Sequence, residues 1–337
     1  MQVVENVLKS NHAKIHSDGT SLDQKKIVGH QISTSLGDTF YLGYIPVATE
    51  NASTLLEITS NIIQKLSETY SLMSNVDLKK VTFDLLSKIT SVMTDRAAAM
   101  KCLDRIFADF IRTELGRDVH VHFLHCNAHF LLGMSSACEK AISKVEKELE
   151  SERQQKFGRD QNAKYDGFNE GSESCVSRVI RTACDILGPR GDQKSGCRVQ
   201  WTTFIANSVI PYFKGNRFNC FFEEVASLIF HLPTMVQFFS SGVLHENPNR
   251  KIHSVSPDVQ DKTLMCMVCA VALFFIKITG PYWKLINSDV KYFNFHLYLK
   301  KMVTNFEKWI DDPSDLLSPN FFSVFDGDLV IKAPRFH

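Results

Sequence analysis

Thr90-Ser91-Val92-Met93-Thr94-Asp95 is the stretch on which the fold turns. It is a short β-branched and apolar run between two segments of helical spacing, so it reads as a strand ending at Asp95. Before it, residues 78–89 are helical. After it, Met100, Leu103, Phe107 and Phe110 or Ile111 fall on one face of a helix over 96–115. Such a strand needs partners, and the first 50 residues supply them. Residues 13–17 form a strand ending at Asp18-Gly19-Thr20. Residues 26–34 alternate and are rich in β-branched side chains. Leu36-Gly37-Asp38 then turns the chain into a third strand over 40–47. Short Gly/Asp turns join these three as an antiparallel meander. Leu55, Ile58, Ile62 and Leu66 place a helix over 52–73. Further on, 119–124 alternates as a strand and 130–156 is helical. Three antiparallel strands followed by helix–strand units predict a mixed α/β fold, with helices on the faces of a mixed sheet.

Composition sets outer bounds. The chain has 337 residues, with 38 Lys and Arg against 37 Asp and Glu, a net charge of +1. With 44% hydrophobic and 22% charged residues, it has the make-up of a globular protein. A disordered chain or a uniformly basic DNA coat is excluded. The longest apolar run, 264–276, stops at Lys277 and is shorter than the ~20 residues of a bilayer span. No signal peptide or transmembrane segment is expected. The 9 Cys lack paired spacing, which suggests reduced thiols in the nucleus or cytoplasm.

The organisation expected is a core over 1–150, a flexible linker over 151–175, rich in Gly, Asp and Asn, and a helical domain over 176–337. Helices are expected over 176–187, 219–231, 264–279 and 297–309.

Two carboxylates carry the main chemical expectation. Asp18 and Asp95 each stand at a strand end. If the first and fourth strands are parallel neighbours, the two ends lie side by side. Close carboxylates repel each other unless a cation sits between them, and hard oxygen ligands suit Mg²⁺ or Mn²⁺. Two such ions can drive phosphodiester cleavage. The alternatives are that Asp18 is a turn residue and Asp95 caps the next helix.

Residues 120–129 hold four His and Cys126. Cys126-x₂-His129 has metal-ligand spacing, but a zinc site needs four ligands and no second pair lies nearby. Cys266-x₂-Cys269, inside an apolar helix, reads as core. Residues 176–217 carry seven basic residues (Arg178, Arg181, Arg190, Lys194, Arg198, Lys214, Arg217) against Asp185 and Asp192. Trp201, Phe204, Tyr212 and Phe213 are interleaved with them. The stretch is either a nucleic-acid surface or a helical subdomain with a solvated basic face.

Four blocks in order resemble transposases of the hobo–Activator (hAT) superfamily. They are Asp18-Gly19-Thr20-Ser21, Thr94-Asp95-Arg96-Ala97-Ala98-Ala99-Met100, Cys126-Asn127-Ala128-His129-Phe130-Leu131-Leu132 and Cys197-Arg198-Val199-Gln200-Trp201-Thr202-Thr203. They span residues 14 to about 203. The resemblance implies an RNase H-like core, whose order of elements matches the one above, and a partial all-helical insertion domain. It implies metal-dependent DNA cleavage and transfer, with Asp18 and Asp95 as catalytic metal ligands. Trp201 would stack on a flipped base, and Cys126 and His129 would sit beside the site. The basic stretch, apart from the resemblance, makes Arg198, Lys214 and Arg217 the residues expected to contact DNA. The family's third acid, a Glu on a helix after the insertion, has no counterpart here, and Arg198 precedes Trp201 by three residues where the family has them adjacent.

The expectation is therefore a transposon-derived, C-terminally truncated protein, catalytically incomplete but still able to bind DNA. Any homo-oligomer would form through segments outside this chain. One alternative is an active metal nuclease recruiting Glu139, Glu223 or Glu224. Another is a non-enzymatic protein-interaction module, which predicts an exposed apolar patch around Phe221, Phe222, Phe238, Phe239 and Trp283.

Overall fold

The computed structural model describes residues 1–22, 24–95, 97–165, 173–191, 196–214, 217–242 and 249–325. The chain divides into two compact units, Met1–His129 and Phe130–His337.

The first unit is built on a five-stranded sheet of order β3-β2-β1-β4-β5. Its strands are β1 (Ala13–Leu22), β2 (Lys25–Thr34), β3 (Thr39–Val47), β4 (Ile89–Thr94) and β5 (His122–His125). β1, β2 and β3 pair antiparallel, as the turn residues predict. β4 lies parallel to β1 and β5 parallel to β4. The helices are α1 (Gln2–Lys9), α2 (Ala52–Ser74), α3 (Leu78–Lys88) and α4 (Ala98–Leu115), with α5 (Asn127–Arg153) beginning after β5.

Strand periodicity separates the two faces of this sheet. Ala13, Ile15, Val28, Ile32 and Val92 are buried with Val4, Leu55, Val81, Leu85, Met100 and Phe107 in one apolar cluster. The other face carries Lys14, His16, Asp18, Gly29 and Gln31, which are half-buried or exposed. Caps set the helix starts: Asn51 and Asp77 accept from the Thr54 and Lys80 amides, both at 2.9 Å.

The second unit is helical. It contains α6 (Cys175–Leu187), α7 (Cys197–Phe204), α8 (Cys220–Ser240), α9 (Arg250–Gln260), α10 (Lys262–Phe274), α11 (Gly280–Ile286), α12 (Phe295–Asp311) and α13 (Ser314–Leu317). A π-helical turn over Phe275–Thr279 joins α10 to α11. The resulting stretch Lys262–Ile286 is apolar and long enough to cross a membrane, yet 56% of its most apolar window is buried inside the protein. Lys277 within it donates to the carbonyls of Leu316 and Ser318 at 2.7 and 2.8 Å. It reads as a core helix.

Two expectations change here. The expected linker begins inside α5, and within it Phe157, Gly158, Arg159 and Tyr165 are buried while 151–156 and 161–164 are exposed. Residues 166–172 lie outside the described residues. The Cys266–Cys269 pair is not core, since Cys266 is exposed and Cys269 half-buried.

Candidate metal centre

Strand register explains how two acids distant in sequence meet. In the parallel ladder of β1 and β4, His16 stands opposite Met93. Two residues further along each strand are Asp18 and Asp95, level with each other and on one face of the sheet. On the other side of β4, Thr94 pairs with His125, and the Cys126 amide donates to the Thr94 carbonyl at 2.9 Å. The chain then turns into α5, whose first turn carries His129. One ligand atom from each of Asp18, Asp95 and His129 lies within 4.8 Å of the others. Asp18 is exposed, while Asp95 and His129 are half-buried.

Asp18 does not end β1, as the sequence suggested. β1 continues to Leu22 in its hairpin with β2. What ends near Asp18 is the ladder to β4, because β4 itself stops at Thr94. Asp95 is not the helix cap the sequence allowed for: α4 starts after Ala97 with no side-chain cap, and one Asp95 oxygen instead accepts from the Ala97 amide at 2.8 Å in a local turn. Arg96 lies outside the described residues.

The charges here are tightly coupled. Loss of water around Asp18 raises its pKa, the His129 charge pulls it back, and the neighbouring Asp95 charge raises it further. His129 is held above its ordinary value, first by its side-chain hydrogen bond with Cys126 and then, against burial, by the charges of Cys126, Asp18 and Asp95. Burial pushes the Cys126 thiol up, but the His129 bond and nearby backbone amides outweigh it and leave the thiol low. Two carboxylates and an imidazole make a set that fits a divalent cation, which would relieve the repulsion raising Asp18. Oxygen donors suit Mg²⁺ and Mn²⁺, and the imidazole nitrogen tilts the set toward Mn²⁺.

The other predicted residues fall elsewhere. Trp201 is fully buried: its Nε1 donates to Ser208 Oγ at 2.8 Å, and its ring meets His231 and Phe238 edge-on at 5.7 and 5.3 Å. It is a core residue of the second unit, closed to a stacking base. Arg198 donates to the Pro189 carbonyl, while Lys214 and Arg217 are exposed. The basic stretch is thinner than its composition suggests. Arg178 is buried between Asp160 and Asp258, and Arg181 pairs with Glu173. Lys194 and Asp192 lie outside the described residues.

The three alternative acids are engaged within the second unit. Glu139 accepts from Ser177 Oγ at 3.1 Å, Glu223 from Asn219 Nδ2 at 3.2 Å and Glu224 from the Lys214 amide at 2.8 Å. The aromatic patch expected of an interaction module is also absent as a surface. Phe221, Phe222 and Phe238 are buried, with Phe239 and Trp283 packed against the same core.

His129 joins the two acids more closely than its position beside them in sequence order implied. The signal lay in the register: Cys126 follows β5 level with Asp95, and three residues of helix bring His129 back over the strand ends. No known family's sequence pattern matches the chain, and no curated protein matches it.

Proposed function

We propose that the first unit is a transposase-type, RNase H-like core, whose Asp18–Asp95–His129 centre holds a divalent cation and through it docks a DNA phosphate. The observation that carries this reading is the convergence of those three side chains on one face of the sheet, from three different elements. When bound, the cation supplies positive charge for a phosphodiester. The chain's own residues do the rest. Asp18, within β1, and Asp95, just past the end of β4, fix the cation from neighbouring strands. His129 closes the site from α5, its ring oriented by the hydrogen bond with Cys126. Two carboxylates and an imidazole are fewer acids than the three of the resembling family, so the reading is cation-dependent DNA binding with cleavage incomplete. Within the second unit, Lys214 and Arg217 are exposed and open to phosphate contacts of their own.

Calorimetric titration of the full chain with Mn²⁺ tests this. A single site is expected, weakened at least tenfold in Asp18→Asn and in Asp95→Asn, with DNA affinity rising when Mn²⁺ is added. Equal Mn²⁺ affinity in wild type and both variants would refute the reading.

A further inference from the structure

The sheet face that carries Asp18 and Asp95 continues across β2 and β3. Asp18 pairs with Gly29 of β2, and Gly29 pairs with Tyr44 of β3. Tyr44, Gly29 and Asp18 therefore form one row across the strands, with Asp95 next along it. The neighbouring row is His16, Gln31 and Tyr41. Strict alternation would put Tyr41 and Tyr44, three residues apart, on opposite faces. The register shifts between His30 and Gln31, and Gly43 takes up the extra residue at φ +129°. The bulge thus turns both tyrosines onto the face of the acids. They are 70% and 68% exposed. The Tyr44 ring leans over Gly29: a Cβ placed there would lie 3.0 Å from the ring's Cε1. Glycine at 29 leaves that space open. Two strand spacings, about 9.6 Å, separate the Tyr44 backbone from that of Asp18.

The surroundings decide what such rings would bind. Their neighbours on this face are mostly polar, Lys14, His16, Gln31, Ser33 and Thr39, with Ile27 and Pro46 in the row beyond Tyr44. His16 Nε2 and Ser33 Oγ lie 3.0 Å apart, and Ser33 and Thr39 share a hydrogen bond of 2.9 Å. An apolar protein partner would gain little from two rings in a polar field. A nucleic acid strand presents a base beside each phosphate, and every base has a face that stacks on an aromatic ring.

We propose that Tyr41 and Tyr44 form a stacking platform for unpaired nucleobases of a DNA strand whose phosphate is held at the Asp18–Asp95–His129 centre. This rests on the functional reading above and adds where the bases go.

The test uses the full chain, Mn²⁺ and a fluorescent single-stranded oligodeoxynucleotide, followed by anisotropy. Tyr41→Ala/Tyr44→Ala is expected to weaken binding about tenfold or more, as loss of base stacking does. Tyr41→Phe/Tyr44→Phe should stay within about twofold, since a phenyl ring still stacks. The slope of log affinity against log salt should not change, because no phosphate contact is removed. Gly29→Ala, with both tyrosines present, should weaken binding by displacing the Tyr44 ring. Unchanged Mn²⁺ affinity in all variants confirms that the centre is intact. Wild-type affinity in the double alanine variant, with Mn²⁺ still bound, overturns the platform and leaves the cation centre standing. Failure of wild type to bind Mn²⁺ or the oligonucleotide overturns the functional reading, and the platform with it. If the alanine variant instead loses self-association in sedimentation and keeps its oligonucleotide affinity, the tyrosines serve a second copy of the chain and the platform is refuted.

Discussion

Cys126 shows how one residue's chemistry depends on its neighbours. Five other thiols are pushed up, first by burial; besides Cys269, four go furthest: Cys138 and Cys220 to about 11, Cys175 to about 12 and Cys184 well above its ordinary value. Cys126 is also partly buried, yet its hydrogen bond with His129 holds it low. Thiolate, not thiol, is the form that reacts with alkylating agents. In EDTA at pH 7, iodoacetamide should therefore modify Cys126 well before those four thiols, as read by peptide mass mapping. His129→Gln removes the partner that can carry positive charge, and should slow Cys126 modification at least severalfold. Equal rates in wild type and His129→Gln would show that the pairing does not set the reactivity. The experiment also bears on the cation centre, since the same imidazole faces Asp18 and Asp95.

Among the elements, the 3₁₀ turn Gly158–Gln161 is held by residues a hundred positions away. The Gly158 amide donates to Asp261 Oδ2 and the Arg159 amide to Asp258 Oδ1, both at 2.8 Å. The Arg178 guanidinium donates to Asp258 at 3.0 Å and also reaches Asp160. Gly158 has φ +49°, and a Cβ there would collide with Asp258, so glycine is required on both counts. Asp258 is fully buried, and Asp258→Ala would leave the buried Arg178 and Arg159 charges with Asp160 as their remaining carboxylate here and the Arg159 amide without its acceptor. Breaking a buried pair from one side costs about 3–5 kcal/mol, so a urea midpoint followed by tryptophan fluorescence should fall sharply. A loss under about 1 kcal/mol would mean that water reaches the site. Nothing in residues 151–165 announces this turn, because polar groups rather than an apolar stripe tie it down, and their partners lie on α9. Elsewhere the sequence was readable where apolar period was strong. The three hairpin strands, α2, α3, β4, α4 and α5 fall within a few residues of expectation. α1 is too short to show a period, and α9 carries a stripe of only Ile252, Val255 and Val259, interrupted by Ser254, Ser256 and Pro257. The acids at 18 and 95 were legible as a pair. The bulge at Gly43 that turns Tyr41 and Tyr44 to one face was not, because it depends on how β3 registers against β2.

For the whole molecule, the two units hold groups whose titration pulls stability in opposite directions. In the first unit, burial lowers His30 to about 4, and burial with the Lys14 charge lowers His16 to about 4. A histidine that is neutral when folded and protonated when unfolded favours folding above its ordinary pKa near 6.5. That contribution disappears as pH falls toward 4. His30 is almost wholly buried, and its share of the loss between pH 6.5 and 5 is roughly 1.5 kcal/mol. In the second unit, burial raises Glu224 to about 8 despite the Lys214 amide, and Glu146, Glu223 and Asp258 are raised for the same first reason. A carboxyl that keeps its proton when folded favours folding below its ordinary value near 4.5. For Glu224 that contribution is lost at about 1.4 kcal/mol per pH unit as pH rises toward 8. Acidification from pH 6.5 to 5 should thus weaken Met1–His129 and strengthen Phe130–His337. Trp201, Trp283 and Trp309 all lie in the second unit, so tryptophan fluorescence follows that unit alone. Its urea midpoint should rise at pH 5, while hydrogen exchange in β1, β2 and β4 should speed up beyond the intrinsic pH effect. His30→Leu should flatten the acid response of the first unit and leave that of the second unchanged. If both units weaken on acidification, Glu224 is not titrating as its burial dictates, and if both strengthen, His30 is not.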